Sequence, residues 1–129
     1  MDSLINKGPE APVQHFWWWI GYPPDHPLIL ELGNERHQYG RSLNSPALKW
    51  ELGRWYHVAV VFQSDDKQST ATHYRDGLAL GTQTADEPFH SGDHDFLVGA
   101  YGGLHFLNGV LDEVKIWDRP LSPDEINRE

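Results

Sequence analysis

The chain has 129 residues, twelve glycines, nine prolines, no cysteine and a formal net charge of −9. That length supports one domain with a sizeable core, and 12 % aromatic residues exclude a disordered chain. The acidic balance excludes nucleic acid, whose phosphates demand an excess of Lys and Arg. The lack of cysteine excludes disulfides and thiolate chemistry.

The opening, MDSLINKGPEAP, has no apolar run behind a basic segment and does not read as a signal peptide. No stretch approaches the ~20 apolar residues of a membrane span. Short alternating runs then follow one another, separated by turn residues, which is the pattern of an all-β sandwich or barrel. The first run spans Gln14 to Tyr22 and holds three adjacent tryptophans, ending at PPDHP. LILEL, residues 28–32, alternates cleanly, and RHQYGRS predicts a weaker edge strand. WYHVAVVF, residues 55–62, is β-branched and apolar on both faces, so it is expected to be central.

THYRDGLALG predicts two strands around Asp76-Gly77, a dipeptide that tolerates the positive φ of tight hairpins. HDFLVGA and GVLDEVKIW predict two more strands. Near the end, Ser122 is a candidate N-cap, Pro123 suits the first helical position and Glu125 completes a capping box. A helix of one or two turns follows from the few residues that remain.

From LGRWYHVAVVF through YRDGLALG and FLVGAYGG to NGVLDEVKIWDRPLSPDEI, the chain resembles the laminin-G-like jelly roll of the concanavalin A-like superfold. The resemblance covers residues 50–127 well and residues 5–50 loosely. It implies an extracellular or cell-surface binding module for glycans or proteins, carried within a larger protein. VKIWDRPLSPDEI is also similar to pentraxins, which bind ligands through calcium. The pentraxin Glu-Gln-Asp stretch before YGG is absent, so that calcium site cannot be carried over. The E-x-D-x-x-E pattern of the glucanases is absent too. The family's usual opening strands have no counterpart, and INKG resembles a later turn. The resemblance therefore implies that residues 1–129 form one partial domain without its first two strands. The strand around FWWWI and the segment 110–117 should then each keep a bare edge, and the chain should be marginally stable and aggregation-prone. Residues 1–13, with Pro9 and Pro12, are poor substitutes for the missing strands.

Side chains alternate along a strand, so Phe16, Trp18 and Ile20 share one face and His15, Trp17 and Trp19 the other. Ile20 assigns the first face to the core. Trp17 and Trp19 are then candidate ligand-binding residues on the outer face, either stacking on sugar rings or covered by loops. Asp112 shares its strand face with Val110, Val114 and Ile116, so its carboxylate needs a partner. The resemblance puts it near a calcium neighbourhood, while backbone N–H groups or Arg75 are the alternative. His90, Asp93, His94 and Asp95 have the spacing of a metal loop or of a polar turn. No serine has a G-x-S-x-G setting, His57 reads as a satisfied core or half-buried strand residue, and Glu31 and Glu35 lack the spacing of a cleft pair.

The expectation is an all-β, antiparallel jelly-roll sandwich with one short C-terminal helix, acting as a non-catalytic module. Carbohydrate recognition leads, with protein–protein adhesion as the alternative and a glucanase-like hydrolase third. Calcium at Asp112 is the one candidate cofactor. Glycan or protein ligands and neighbouring domains are the expected partners, with no membrane insertion.

Overall fold

The computed structural model describes residues 2–7, 16–33, 39–89, 95–101 and 105–129, with residues 39–41 described by backbone alone. Among these residues eight strands run in chain order: β1 (Asp2–Lys7), β2 (Phe16–Ile20), β3 (Leu28–Gly33), β4 (Tyr39–Asn44), β5 (Val58–Ser64), β6 (Ser69–Arg75), β7 (Leu78–Ala85) and β8 (Phe96–Val98). One helix, α1 (Pro123–Arg128), ends the chain. The strands form two antiparallel sheets, ordered β4-β3-β2-β1-β8 and β5-β6-β7. This is the expected jelly-roll sandwich.

The register of β2 follows the alternation of its sequence. Trp18 lies opposite Leu30 on one side and Ile5 on the other, so these three residues share the inner face. Leu4, Trp18, Leu28, Leu30, Leu32 and Leu43 form the main core with Ala71 and Ala85 of the second sheet. At its centre His73 is 0 % exposed. Its Nε2 lies 2.9 Å from the carbonyl of Leu43 and so carries the proton, which leaves Nδ1 to accept from the Trp18 indole at 3.4 Å. One imidazole thereby ties β6 to both β2 and β4.

Three expectations are corrected. The Trp strand keeps no bare edge, because Asp2–Lys7 pairs with it throughout. Both prolines lie beyond Lys7, and that leaves a proline-free run able to bond on both sides, to β2 and β8. β5 is not central but forms one edge of the three-stranded sheet. It is apolar on both faces because Val58, Val60 and Phe62 meet the main core, while Ala59 and Val61 meet the helix-side cluster of Tyr74, Leu121 and Ile126. Residues 110–117 form no strand, and a positive φ of 49° at Glu113 interrupts any extended run there.

The Asp76-Gly77 turn and the terminal helix form as expected. Asp76 and Gly77 take φ of 51° and 80°, and Asp76 Oδ1 accepts from the His57 N–H. At α1 the Ser122 Oγ accepts from the Glu125 N–H at 3.3 Å, and the Glu125 carboxylate accepts from the Ser122 N–H at 2.8 Å. Arg119 grips the same carboxylate with both terminal nitrogens, at 2.7 and 3.1 Å. Arg119 first, then Ser122, holds the Glu125 carboxyl down at about 2.

Ser122→Ala is expected to cost about 1 kcal/mol in chemical denaturation, and an unchanged midpoint would show that the cap contributes nothing. A second expectation concerns acid. Burial pushes the His73 imidazole below its ordinary value of 6.5, against the opposing pull of the Leu43 carbonyl. Below about pH 6.5 the unfolded chain therefore binds a proton that the folded chain refuses, and stability falls as pH falls. The melting temperature should drop from pH 7 toward pH 5, a window above the one in which Glu125 protonates. His73→Gln should flatten that slope; a slope that persists unchanged would assign it to other groups.

Candidate binding site

On the outer face of the five-stranded sheet the β1–β2 register places Ser3 opposite Trp19 and Asn6 opposite Trp17. A register shift between Ser3 and Ile5 makes this possible, since it sends Leu4 inward while Ser3 and Asn6 face out. Trp17 and Trp19 stack at 4.9 Å, and Tyr101 stacks on Trp17 at 4.1 Å. Tyr22 meets Trp19 edge-on at 5.7 Å and is itself 56 % exposed.

The chain around Tyr101 is clamped over this face. Gly99 N–H donates to the Leu4 carbonyl, Leu107 N–H to the Gly99 carbonyl, and Ser3 N–H to the His105 carbonyl. Trp17 Nε1 donates to Ser3 Oγ at 3.1 Å, and that hydroxyl donates on to the Ala100 carbonyl at 3.0 Å. The two candidate tryptophans therefore share the outer face as expected but are not open to solvent: Trp17 is 4 % and Trp19 6 % exposed. Stacking Tyr101 on Trp17 buries large apolar rings, which favours the closed cover.

Beneath that cover are polar groups left over. Asn6 is fully buried, and among the described residues neither its Oδ1 nor its Nδ2 has a hydrogen-bond partner; Trp19 Nε1 has none among them either. Each such group costs about 1–3 kcal/mol relative to a satisfied one. Asn6, Tyr101 and His73 were not singled out from the sequence. Asn6 was legible only as a polar residue in the alternation of DSLINK, a weak signal.

Asp112 lies on the irregular segment after Gly109, not on a strand, and is exposed. Its Oδ1 accepts from the Glu113 N–H, and Arg75 instead bonds the Lys49 carbonyl and lies over the rings of Trp50 and Tyr56. Calcium takes six to eight oxygen ligands, and among the described residues no three His, Asp or Glu side chains group together to hold an ion. Asp112 and its described surroundings do not supply that ligand set. His90, Asp93 and His94 lie outside the described residues, and Asp95 is exposed. Glu35 also lies outside them, while Glu31 accepts from Ser42. His57 is exposed and precedes β5, so it is not the core or half-buried strand residue expected.

A family model described as the concanavalin A-like lectin/glucanases superfamily, in its laminin-G form, matches residues 4–127. The chain belongs to this family. The laminin-G-like domain is 31 % identical over 85 residues to neuronal pentraxin-2 of Cavia porcellus, covering 58 % of this chain and 19 % of that protein. It is 29 % identical over 84 residues to human neuronal pentraxin-1, covering 57 % and 19 %. The domain thus spans about a fifth of the length of these relatives. An S-layer domain-containing protein from Clostridium thermocellum aligns with 93 % of this chain and 58 % of its own, at 20 % identity and a TM-score of 0.43. The family fits a binding module, and no described helix is long and apolar enough to cross a membrane.

Melting curves in calcium and in chelator are expected to coincide for this domain. A calcium-dependent rise that Asp112→Asn abolishes would restore the metal reading.

Proposed function

We propose that this laminin-G-like domain is a non-catalytic carbohydrate-binding module of a longer extracellular or cell-surface protein, taking its ligand at the aromatic face of β1 and β2. The observation that carries this reading is the buried amide of Asn6, which has no partner among the described residues, beside the stacked indoles. A sugar ring offers what such a face lacks. Its apolar C–H surface stacks on indole or phenol, and its hydroxyls both donate and accept. The Asn6 amide offers two N–H donors and a carbonyl acceptor, and Trp19 Nε1 offers one more donor. Tyr101 occupies the open side of Trp17, so it acts as the cover that a ligand displaces. The superfamily's description joins lectins with glucanases, both directed at carbohydrate. Other domains of the longer protein would then set avidity and location.

Trp17→Ala and Trp19→Ala are blunt tests, because emptying a buried indole site costs about 3–5 kcal/mol and endangers the fold. Asn6→Leu is sharper. It removes two unsatisfied groups while keeping the volume close, so the melting temperature should hold or rise. On a glycan array the parent domain should show saturable binding that Asn6→Leu loses by at least about tenfold, which is the cost of roughly one lost buried hydrogen bond. An array on which the parent domain binds nothing would defeat the reading, as would normal binding by Asn6→Leu.

A further inference from the structure

Among the described strands β5 has a hydrogen-bonded neighbour on one side only. All seven of its residues register with β6, and no described strand lies along its other edge. The reason is an uneven sandwich. β4 packs against β7, so the three-stranded sheet covers the five-stranded one from that end and stops at β5. The inner faces of β1 and β8 then project past it. Phe96 and Val98, which register with the inward-facing Lys7 and Ile5, are 46 % and 49 % exposed for that reason.

A cleft of ≈ 1200 Å³ fills this space, floored by Ile5 and Phe96, edged by Val58–Phe62 and walled by the segment 107–118. Along that wall Val110, Ile116 and Trp117 are 74 %, 56 % and 47 % exposed. It is more than a small-molecule pocket, which runs to about 1,000 Å³ at most. Its apolar lining lies beside a row of backbone N–H and C=O groups spaced as on any strand edge. A sugar or lipid would meet the apolar walls but not that row. An extended polypeptide meets both, with its backbone on the ladder and alternate side chains in the cleft.

Charge narrows the occupant. Among the described residues the cations around the cleft are already engaged: Lys7 over the Phe96 ring, Arg54 with Glu51 and Asp76, Lys115 with Glu129, and Arg119 with Glu125. Asp112, Glu113 and Asp118, exposed along the same wall, enter no described salt bridge. A second copy would bring a further −9 to this acidic rim. We propose that the free edge of β5 accepts an extended strand from a different polypeptide, apolar at alternate residues and flanked by Lys or Arg. The cleft and the Trp17–Trp19 face lie on opposite sides of the five-stranded sheet, so each reading can fail without the other.

The test uses the 129-residue chain and a library of ten-residue peptides that alternate Val, Ile or Thr with varied residues between two flanking lysines. Hydrogen exchange of the β5 amides is followed with and without peptide. Alternate amides of Val58–Ser64 should exchange freely in the chain alone and slow by at least about tenfold with a binding peptide. N-methylation of that peptide along one edge should abolish both binding and protection, and glutamate flanks should weaken binding in low salt. Several results would overturn the proposal: no library member binding, equal binding of the N-methylated peptide, or β5 amides unaffected by a bound peptide. Protection of the same amides in the chain alone, whether as monomer or dimer, would also overturn it, since the edge would then be closed by residues 107–118 or by a second copy.

Discussion

Along Phe16–Ile20 the strand period of two sends Trp18 to one face and Trp17 with Trp19 to the other, so β2 presents bulky apolar groups on both sides. A sheet with such a strand must be covered twice. On the inner side the three-stranded sheet does this, with His73 and the alanines of β6 and β7 packed near Trp18. On the outer side no second sheet is present among the described strands, and the segment around Tyr101 takes its place. The polar residues that flank β2 on β1 are buried as a consequence. Ser3 finds partners in Trp17 and Ala100, whereas Asn6 finds none among the described residues.

Covering both faces of a five-stranded sheet with unequal partners leaves the sandwich lopsided. The strongest strand sequence in the chain, β5, lies at a sheet edge, and its outer face is sealed by the helix and Leu121 instead of by neighbouring strands. The capping box and the Arg119 fork on Glu125 therefore matter beyond the six residues of α1, because they hold Ile126 against Tyr74. None of the described strands closes the edge of β5 itself. Apolar residues that normally end in a core, such as Val110 and Trp117, stand beside it exposed to 74 % and 47 %.

The two surfaces differ in chemistry as well as position. The outer face is aromatic, closed and carries unsatisfied polar side chains, which suits a ligand rich in hydroxyls. The cleft is apolar and bordered by main chain, which suits another chain. A binding-module family is consistent with either, because the fold specifies a scaffold and the ligand is chosen by the side chains placed on it.

Much of the architecture was legible in the residues. Strand alternation assigned the two faces of FWWWI correctly, Asp76-Gly77 marked its hairpin, and S-P-D-E marked its helix, because each depends on interactions within a few residues. Membership of the superfamily was legible in the same way, in the stretches from LGRWYHV to LSPDEI. What failed depended on contacts between distant segments. Whether Trp17 and Trp19 meet solvent is decided by Tyr101, more than eighty residues further on. Whether residues 2–7 can serve as a strand is decided by β2 and β8, which supply hydrogen bonds on both sides. GVLDEVKIW has the alternation of a strand, yet a strand exists only where another backbone lies alongside, and none of the described strands does. Local pattern determines which face a side chain takes; only the assembled sheets decide what, if anything, that face meets.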